Sequence, residues 1–266
     1  MSIIAAMTTL HSPKNPFTMT PIERRLTVHL SAVYALRMLG MFIILPVFAL
    51  YAETLAGGDD RFWVGFALGA YGLTQAILQI PFGWASDRWG RKPVIFLGLI
   101  VFALGSFIAA ASSSLLWVIV GRMLQGAGAI SGVLIALIAD GTRYSVRTKA
   151  MAAIGMTIGG TFAVSLMIAP VLTALFGVPG IFVMTGILAI LAFIDIKFFV
   201  PDTNIGNADP NDQLPFWRAF FSVLNNATLA RLNFGIFALH AVLMAIFVQI
   251  PFNLRQIGLP ANHHWM

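Results

Sequence analysis

Seven long apolar stretches dominate this sequence and leave few folds open to it. Each has about 18 residues or more, enough to cross a hydrocarbon layer about 30 Å thick as an α-helix that rises 1.5 Å per residue. A membrane-spanning strand would need only about 9 to 11 residues and an alternating pattern, which is absent. The sequence therefore predicts an all-α membrane protein, with transmembrane helices at residues 27–51, 62–84, 93–111, 115–139, 150–176, 178–200 and 232–254.

The composition excludes a water-soluble domain. Hydrophobic residues make up 59% of the chain and charged residues only 10%, whereas about a quarter of the residues in soluble domains are charged. The net charge of +6 does not indicate nucleic-acid binding, because the basic residues do not share a solvated face. The absence of cysteine excludes disulfides, thiolate metal sites and cysteine nucleophiles. We expect neither a metal site nor a cofactor.

The distribution of basic residues between the loops predicts the orientation of the chain. With a cytoplasmic amino terminus, only Arg61 and Arg255 lie in outer segments, and Arg37 and Arg122 lie within spans. The other basic residues all lie in inner segments: Lys14, Arg24, Arg25, Arg88, Arg91, Lys92, Arg143, Arg147, Lys149, Lys197, Arg218 and Arg231. Such an excess on one side is the positive-inside pattern. It predicts an integral protein of the cytoplasmic membrane with its amino terminus inside.

The expected spans divide the chain into four parts. A cytoplasmic segment without a signal peptide comes first, followed by a six-helix bundle, a cytoplasmic linker and the first helix of a second bundle. These parts comprise residues 1–26, 27–200, 201–230 and 231–266. Like the first span, the seventh span begins near an arginine on its inner side and contains a proline near its outer end. This similarity indicates parallel repeats of six helices. We therefore expect a partial chain, with further C-terminal helices missing.

The linker contains one amphipathic piece. Its apolar residues recur at helical spacing: Trp217, Phe220, Phe221 and Leu224. This pattern indicates either an interfacial helix or a disordered connector with one helical turn.

The most informative loop joins the second and third spans and reads GWASDRWGRK, residues 83–92. It resembles the cytoplasmic signature of the major facilitator superfamily, G-x-x-x-D-R-x-G-R-K, in all of its defining residues: Gly83, Asp87, Arg88, Gly90, Arg91 and Lys92. The two glycines permit close backbone approach, and Asp87 can accept from the amides of a helix amino terminus. The resemblance implies a conformational latch in which one arginine pairs with Asp140. Plain positive-inside anchoring is the alternative, but it does not explain Asp87 or the glycines.

The fourth span carries a second signature, Arg122-Met-Leu-Gln-Gly-Ala-Gly-Ala, which resembles the family pattern R-x-x-Q-G-x-G-A. An arginine within a membrane costs about 2.5 to 3.5 kcal/mol on insertion scales, so Arg122 should face a wet cavity beside Gln125. The resemblance implies a role in proton coupling or substrate handling. The alternative is an arginine that extends to the outer surface. Gly126 and Gly128 should permit close helix packing.

The fifth span resembles a third signature, that of the drug:proton antiporters, less closely. Gly159, Gly160 and Pro170 are present as helix-packing residues, but Ala169 replaces the glycine that precedes the proline in the family. The strings YALRMLG, YGLTQAILQIPFG and RLNFGIFALH are similar to the YajR branch of the superfamily. This resemblance implies a twelve-helix, proton-driven efflux transporter, of which seven helices are present.

Other polar residues within the spans are candidates for a substrate or proton pathway. Arg37 lies in the middle of the first span, where an extended side chain reaches water with most difficulty, so we expect it to face a cavity. Gln75, Gln79 and His240 either line the same pathway or form hydrogen bonds between helices. No acidic residue lies in the middle of a span, so a cavity lined this way should prefer neutral or anionic substrates.

Three functions are compatible with these residues. The leading prediction is secondary active efflux of small amphipathic molecules, driven by the proton gradient, with the lipid bilayer and a small-molecule substrate as partners. A facilitator or importer of a small organic solute on the same fold is the first alternative, and a non-transporting fragment is the second. An enzyme is not expected, because nucleophile-elbow, zinc-protease and phosphate-loop motifs are absent from the sequence.

Overall fold

A computed structural model describes residues 17–201, 218, 221 and 225–256. Within these ranges the chain forms eight helices and no strand. The helices are α1 Pro21–Phe42, α2 Leu45–Ala52, α3 Arg61–Trp89, α4 Arg91–Ala110, α5 Leu115–Ala127, α6 Ser131–Gly141, α7 Tyr144–Phe199 and α8 Ala227–Gln256.

The helices confirm the predicted all-α membrane fold. α1 with α2 forms the first span, α5 with α6 forms the fourth, and α3, α4 and α8 are single spans. α7 has 56 residues, which at 1.5 Å per residue far exceeds one membrane crossing of about 30 Å. Gly177 divides it, because its φ of 67° and ψ of 174° are not helical. The two limbs of α7 are therefore the predicted fifth and sixth spans.

The first span is interrupted at a position that the sequence explains. α1 begins with a capping box, in which Glu23 N donates to Thr20 Oγ1 at 3.2 Å and Thr20 N donates to Glu23 Oε2 at 2.8 Å. The helix ends at Phe42. Pro46 has no N–H for the carbonyl four residues earlier, that of Phe42, so the helical ladder breaks there and resumes as α2.

The fourth span is also broken, which differs from the continuous helix predicted over residues 115–139. α5 ends at Ala127, Gly128 has a φ of −71° and a ψ of 50°, and α6 begins at Ser131. The ψ of Gly128 lies outside the helical range, so the helical hydrogen-bond ladder stops there. The break leaves backbone carbonyls without helical partners in the middle of a membrane span.

Glycine contacts bring the central helices close together. α4 and α5 approach at Gly105 and Gly121: a Cβ built at Gly105 would lie 2.6 Å from the Gly121 carbonyl oxygen. α1 packs along α7, and α4 packs against both α5 and α7. The buried core between them consists of aliphatic and aromatic side chains, among them Leu30, Phe102 and Phe182. In the membrane such packing comes from close backbone approach rather than from the exclusion of water.

The loops lie at two ends of the bundle. At one end the loop after α2 contacts the loop after α4, because Leu115 N donates to the Ala56 carbonyl at 3.0 Å. At the other end the beginning of α4 contacts the end of α6 through Arg91 and Asp140. We call this second end, which includes residues 85–92 and 140–149, the basic end. The alternation of loops agrees with the predicted up-and-down order of the spans.

The linker prediction falls largely outside the described residues. Trp217, Phe220 and Leu224 are not described, whereas Phe221 is helical and 54% exposed. The choice between an interfacial helix and a connector stays open. The domain boundaries at residues 200 and 230 likewise stay predictions.

Candidate functional site

Arg91 connects two acidic residues at the basic end. Its Nε donates to Asp140 Oδ2 at 2.9 Å, its Nη1 donates to Asp87 Oδ1, and the same Nη1 donates to Ser86 Oγ at 2.7 Å. The side chain of Arg91 is only 13% exposed, against 54% for Asp87 and 35% for Asp140. We call Ser86, Asp87, Arg91 and Asp140 the Arg91 cluster. It joins the ends of the second, third and fourth spans.

The two glycines of the predicted latch, Gly83 and Gly90, differ in backbone conformation and in surroundings. Gly90 has a φ of 97°, a left-handed conformation that glycine adopts without a steric cost, and it forms the turn between α3 and α4. Gly83 was expected to permit close backbone approach, but a Cβ built there meets no described atom within 4 Å. That expectation is not met among the described residues, although the neighbouring Phe82 and Ala85 pack against the core.

The other latch residues also differ in part from the expectation. Asp87 was expected to accept from the amides of a helix amino terminus, whereas it accepts from the Arg91 side chain four residues away. The Arg88 guanidinium lies 4.3 Å from the centroid of the Trp84 ring, a cation–π geometry. Lys92 is half-buried beside the cluster.

Arg37 lies at the break in the fourth span. Its Nη2 donates to the Gly128 carbonyl at 3.0 Å and to Gln75 Oε1 at 3.4 Å, and its Nη1 donates to Ser131 Oγ. Gln75 Nε2 also reaches Ser131 Oγ, at 3.4 Å. We call Arg37, Gln75, Gly128 and Ser131 the Arg37 site. It joins the first, second and fourth spans at the break, where the Gly128 carbonyl also accepts from Ile130 N at 2.8 Å.

Arg122 has a separate set of partners. Its Nη1 donates to Gln125 Oε1 at 3.1 Å, and Gln125 Nε2 donates to Ser106 Oγ at 2.8 Å. The guanidinium lies 4.9 Å from the centroid of the Tyr71 ring. Arg122 Nε and the Tyr71 hydroxyl are buried without a hydrogen-bond partner among the described residues. We call Arg122, Gln125, Ser106 and Tyr71 the Arg122 site.

The expectation that both arginines face a wet cavity is wrong for the described part of the chain. Arg37 is 3% exposed and Arg122 is 1% exposed. Neither extends to a membrane surface, because their donors are directed to partners within the bundle. Close packing encloses them: a Cβ built at Gly126 would lie 2.1 Å from the Tyr71 carbonyl oxygen. Their predicted role in a substrate or proton pathway is not tested by this burial.

The predicted packing glycines fall into two groups. Gly126 and Gly128 make close contacts, since a Cβ at Gly128 would lie 2.4 Å from the Gly98 carbonyl oxygen. A Cβ at Gly159 or Gly160 meets nothing within 4 Å among the described residues, so the predicted packing of these two is not found there. The reason is that their face of α7 is exposed. Pro170 lies within α7, whose helix continues through it.

Two further pathway candidates do not join either arginine site. His240 is exposed on α8, and its Nδ1 contacts the Ile236 carbonyl at 2.9 Å. Gln79 is half-buried beside Gly132, and its Oε1 is buried without a partner among the described residues. Among the predicted pathway residues, therefore, only Arg37 and Gln75, and separately Arg122 and Gln125, are brought together.

Sequence reasoning missed two residue pairs near the basic end. His29 Nδ1 lies 2.8 Å from Asp195 Oδ1, and the His29 ring stacks on Phe199 at 5.2 Å. Glu23 Oε1 accepts from Arg143 Nε at 2.9 Å, and this hydrogen bond raises the pKa of the Arg143 guanidinium. These partners are far apart in the chain, so no local spacing indicates them. Among the described residues, no group of three metal-ligating side chains occurs.

The chain matches a known family along most of its length. The family model for the major facilitator superfamily matches residues 30–262. The inner membrane transport protein YajR of Escherichia coli is 46% identical over 251 residues, which cover 94% of this chain and 55% of that protein. An uncharacterized transporter of Buchnera aphidicola is 37% identical and is covered over 62% of its length. The class B tetracycline resistance protein of Escherichia coli is 32% identical over 170 residues. The chain thus spans little more than half the length of the first two relatives.

Solved structures share the fold. A bacterial homologue of the human lysosomal transporter Spinster, in an inward-facing and unoccupied conformation, matches with a TM-score of 0.71 over 93% of this chain and 59% of that one, at 18% identity. A human organic anion transporter matches with a TM-score of 0.60 over 69% of this chain and 49% of that one, at 22% identity. The apolar helices, the matching family model and the YajR relative together show that the chain belongs to the major facilitator superfamily, a family of membrane transporters and not of enzymes.

Proposed function

We propose that this chain is the first half, with one further helix, of a secondary active exporter that uses the proton gradient to move small amphipathic molecules across the inner membrane. The observation that carries the proposal is the Arg91 cluster, in which one guanidinium binds carboxylates from two different spans. The YajR relative is an inner membrane transport protein and another relative is a tetracycline resistance protein, which supports transport of small molecules. Two six-helix halves would then alternate around a central site.

The cluster has the properties that a reversible latch needs. Asp87 and Asp140 are partly exposed, so each can exchange Arg91 for water at a small cost in free energy, since exposed ion pairs contribute about 0 to 1 kcal/mol. Ser86 would hold the guanidinium in place while an acid is released. Asp87, the more exposed acid, would be the one that leaves Arg91 to contact the second half of the protein.

The two buried arginine sites support a preference in substrate charge. Among the described residues no acidic side chain lies in the middle of a span, whereas Arg37 and Arg122 lie there. Their positive potential disfavours cations near the centre of the bundle. We therefore propose neutral or anionic amphipathic substrates, with His240 as a candidate proton carrier because histidine changes its charge near neutral pH.

A proton-flux experiment tests this function. The complete transporter that contains this chain is reconstituted in vesicles with a transmembrane pH difference, and candidate anionic and cationic amphiphiles are added while internal pH is followed. We expect anionic or neutral substrates to dissipate the pH difference in the wild type but not in Asp87→Asn. Solute flux without proton movement would instead indicate a facilitator, and preferential counterflow of a cation would overturn the charge preference.

The orientation has its own test. We propose that the basic end faces the cytoplasm, as the positive-inside pattern predicts. A membrane-impermeant amine reagent applied to intact cells should leave both Lys92 and Lys149 unlabelled, and it should label both in inside-out vesicles. Labelling of one lysine from each side would contradict both the orientation and the predicted order of spans.

A further inference from the structure

Glu23 is an almost enclosed carboxylate at the start of the first span. Its side chain is 6% exposed, and Arg143, 120 residues away in the chain, donates to both of its oxygens. Arg143 Nε and backbone N donate to Oε1 at 2.9 and 3.0 Å, and Arg143 Nη2 donates to Oε2 at 3.0 Å. Thr20 N adds a fourth hydrogen bond to Oε2 at 2.8 Å. The carboxylate is thus fully satisfied by two segments of the chain.

The segment before α1 is held by the same loop. Residues 17–20, which we call the strap, lie across the loop between α6 and α7. Arg143 Nη2 donates to the Thr18 carbonyl at 2.8 Å, and Lys149 Nζ donates to the Phe17 carbonyl at 2.7 Å. The loop and the first turn of α7 therefore hold both the strap and the beginning of the first span.

The last turn of α6, directly before this loop, carries one acid of the Arg91 cluster. Asp140 accepts from Arg91 at 2.9 Å, and Arg143 binds Glu23 only three residues later. A displacement of Asp140 when the cluster opens would therefore be transmitted to Arg143 over a few bonds, and from there to α1. Arg37 lies on the same helix α1, about four turns from Glu23.

A helix cap alone does not account for these contacts. The capping box needs only Thr20 and Glu23, and it would be complete with Glu23 open to water. Arg143 instead adds three donors, counting its backbone N–H, and encloses the carboxylate. The Glu23 side chain is nearly buried, whereas the Arg143 side chain is 39% exposed. Loss of Arg143 would leave an enclosed carboxylate without its charged partner, which favours the paired arrangement.

We infer that Glu23 and Arg143 are positioning residues that couple the Arg91 cluster to the first span. They would make α1 follow the loop between α6 and α7 when the latch changes state. The inference rests on the proposed alternating-access function, but it concerns movement within this six-helix bundle. It can therefore be tested by a measurement that does not require transport.

The experiment follows the accessibility of one engineered cysteine. The chain has no cysteine, so Met156→Cys is a unique reporter. Met156 is exposed on α7 and lines a cavity of about 420 Å³ between α1 and α7, opposite Thr27 and Ser31. The rate of labelling by a membrane-impermeant maleimide would report how α1 lies against α7. It is measured in the reporter background with Glu23→Gln, Asp140→Asn, both changes together, or Thr20→Ala.

The variants distinguish the proposed coupling through Glu23 and Arg143 from the capping of helix α1. Glu23→Gln would retain the capping contact with Thr20, since glutamine serves in a capping box, but it would lose the charge that binds Arg143. Thr20→Ala removes the Thr20 hydroxyl acceptor and keeps the ion pair. We expect Glu23→Gln and Asp140→Asn to change the labelling rate in the same direction by about fivefold, the lower end of ordinary coupling between sites. The double variant should change it no further than the larger single effect, and Thr20→Ala should match the wild type.

Three results would overturn the inference. These are an unchanged labelling rate in Glu23→Gln, independent additive effects of Glu23→Gln and Asp140→Asn, and an equal effect of Thr20→Ala. Because labelling needs no substrate, coupling observed in a protein that moves no protons would refute the proposed function while leaving this inference intact. Proton-coupled transport with no change in labelling would refute the inference alone.

Discussion

The arginines at the basic end and those in the middle of the bundle differ in exposure and in the charge of their partners. At the basic end Arg91 is paired with carboxylates whose side chains are 35% and 54% exposed. In the middle of the bundle Arg37 and Arg122 are 3% and 1% exposed, and their described partners are a carbonyl, hydroxyls and amides. The first region has an arginine paired with opposite charges near water, whereas the second has arginines without an acidic partner within the membrane.

This difference indicates what each region can do. An ion pair at the membrane edge can open because water replaces the partner, so its loss costs little. A buried arginine cannot give up its neutral partners at a small cost in free energy, because its own charged donors would then be unsatisfied inside the bundle. The basic end is therefore suited to switching, and the buried sites are suited to holding the broken fourth span at a fixed geometry with a constant positive potential.

The largest expected effect concerns packing. Gly126→Ala would place a Cβ 2.1 Å from both the Tyr71 carbonyl and Thr74 Oγ1, so helices α3 and α5 must separate. We expect the free energy of unfolding to fall by about 1 to 3 kcal/mol, as for other overpacked interiors. Gly83→Ala at the basic end is the matched control, because it has open space around it, and it should melt like the wild type. Thermal unfolding in detergent measures the stability of both variants. Equal melting temperatures would show that the helices around Gly126 are not packed more tightly than those around Gly83.

The second prediction compares the two kinds of arginine directly. Arg37→Met removes the donor of Gln75 Oε1 and the charged donors to Ser131 Oγ and the Gly128 carbonyl, and we expect a loss of about 2 kcal/mol in stability. Arg91→Met leaves two acids that water can solvate, and we expect a loss below about 1 kcal/mol. Thermal unfolding of the two variants at equal expression provides the measurement. A larger loss for Arg91→Met would reverse the comparison.

A smaller loss of stability is expected when the Ser131 hydroxyl is removed. Ser131→Ala removes an acceptor of Arg37 but leaves the Gly128 carbonyl in place, so about 1 kcal/mol of stability should be lost. Ser165→Ala is the control, because the Ser165 hydroxyl is buried without a hydrogen-bond partner among the described residues. The melting temperature should fall in the first variant only. The same change in both would mean that Ser131 does not help to hold Arg37.

The smallest effect should come from salt. Raising ionic strength from about 0.1 to 1 M shortens the screening length from about 10 to 3 Å, which weakens partly exposed pairs more than buried ones. The stability difference between Asp140→Asn and the wild type should therefore shrink, whereas the difference for Arg37→Met should stay constant. Melting curves at the two salt concentrations measure this. A salt-dependent effect at Arg37 would indicate that water reaches the buried site.

Much of the architecture was predictable from the sequence. The lengths of the apolar stretches predicted the spans. The resemblance of the loop GWASDRWGRK to the family signature implied that one of its arginines pairs with Asp140, as Arg91 does. Ser131 was missed because a serine at the start of an unpredicted helix has no signal of its own. Its importance depends on the break at Gly128, and that break depends on how the fourth span packs.

The sequence by itself determined that the chain lies in a membrane, how many times it crosses, and where its charged loops gather. These properties depend on local hydrophobicity and helix length, which are read along the chain. Only the tertiary structure decided that Arg37 and Arg122 are enclosed within the bundle and that Glu23 pairs with Arg143. Those contacts join residues far apart in the chain, and the rotation and close approach of whole helices, which no local pattern specifies, bring them together.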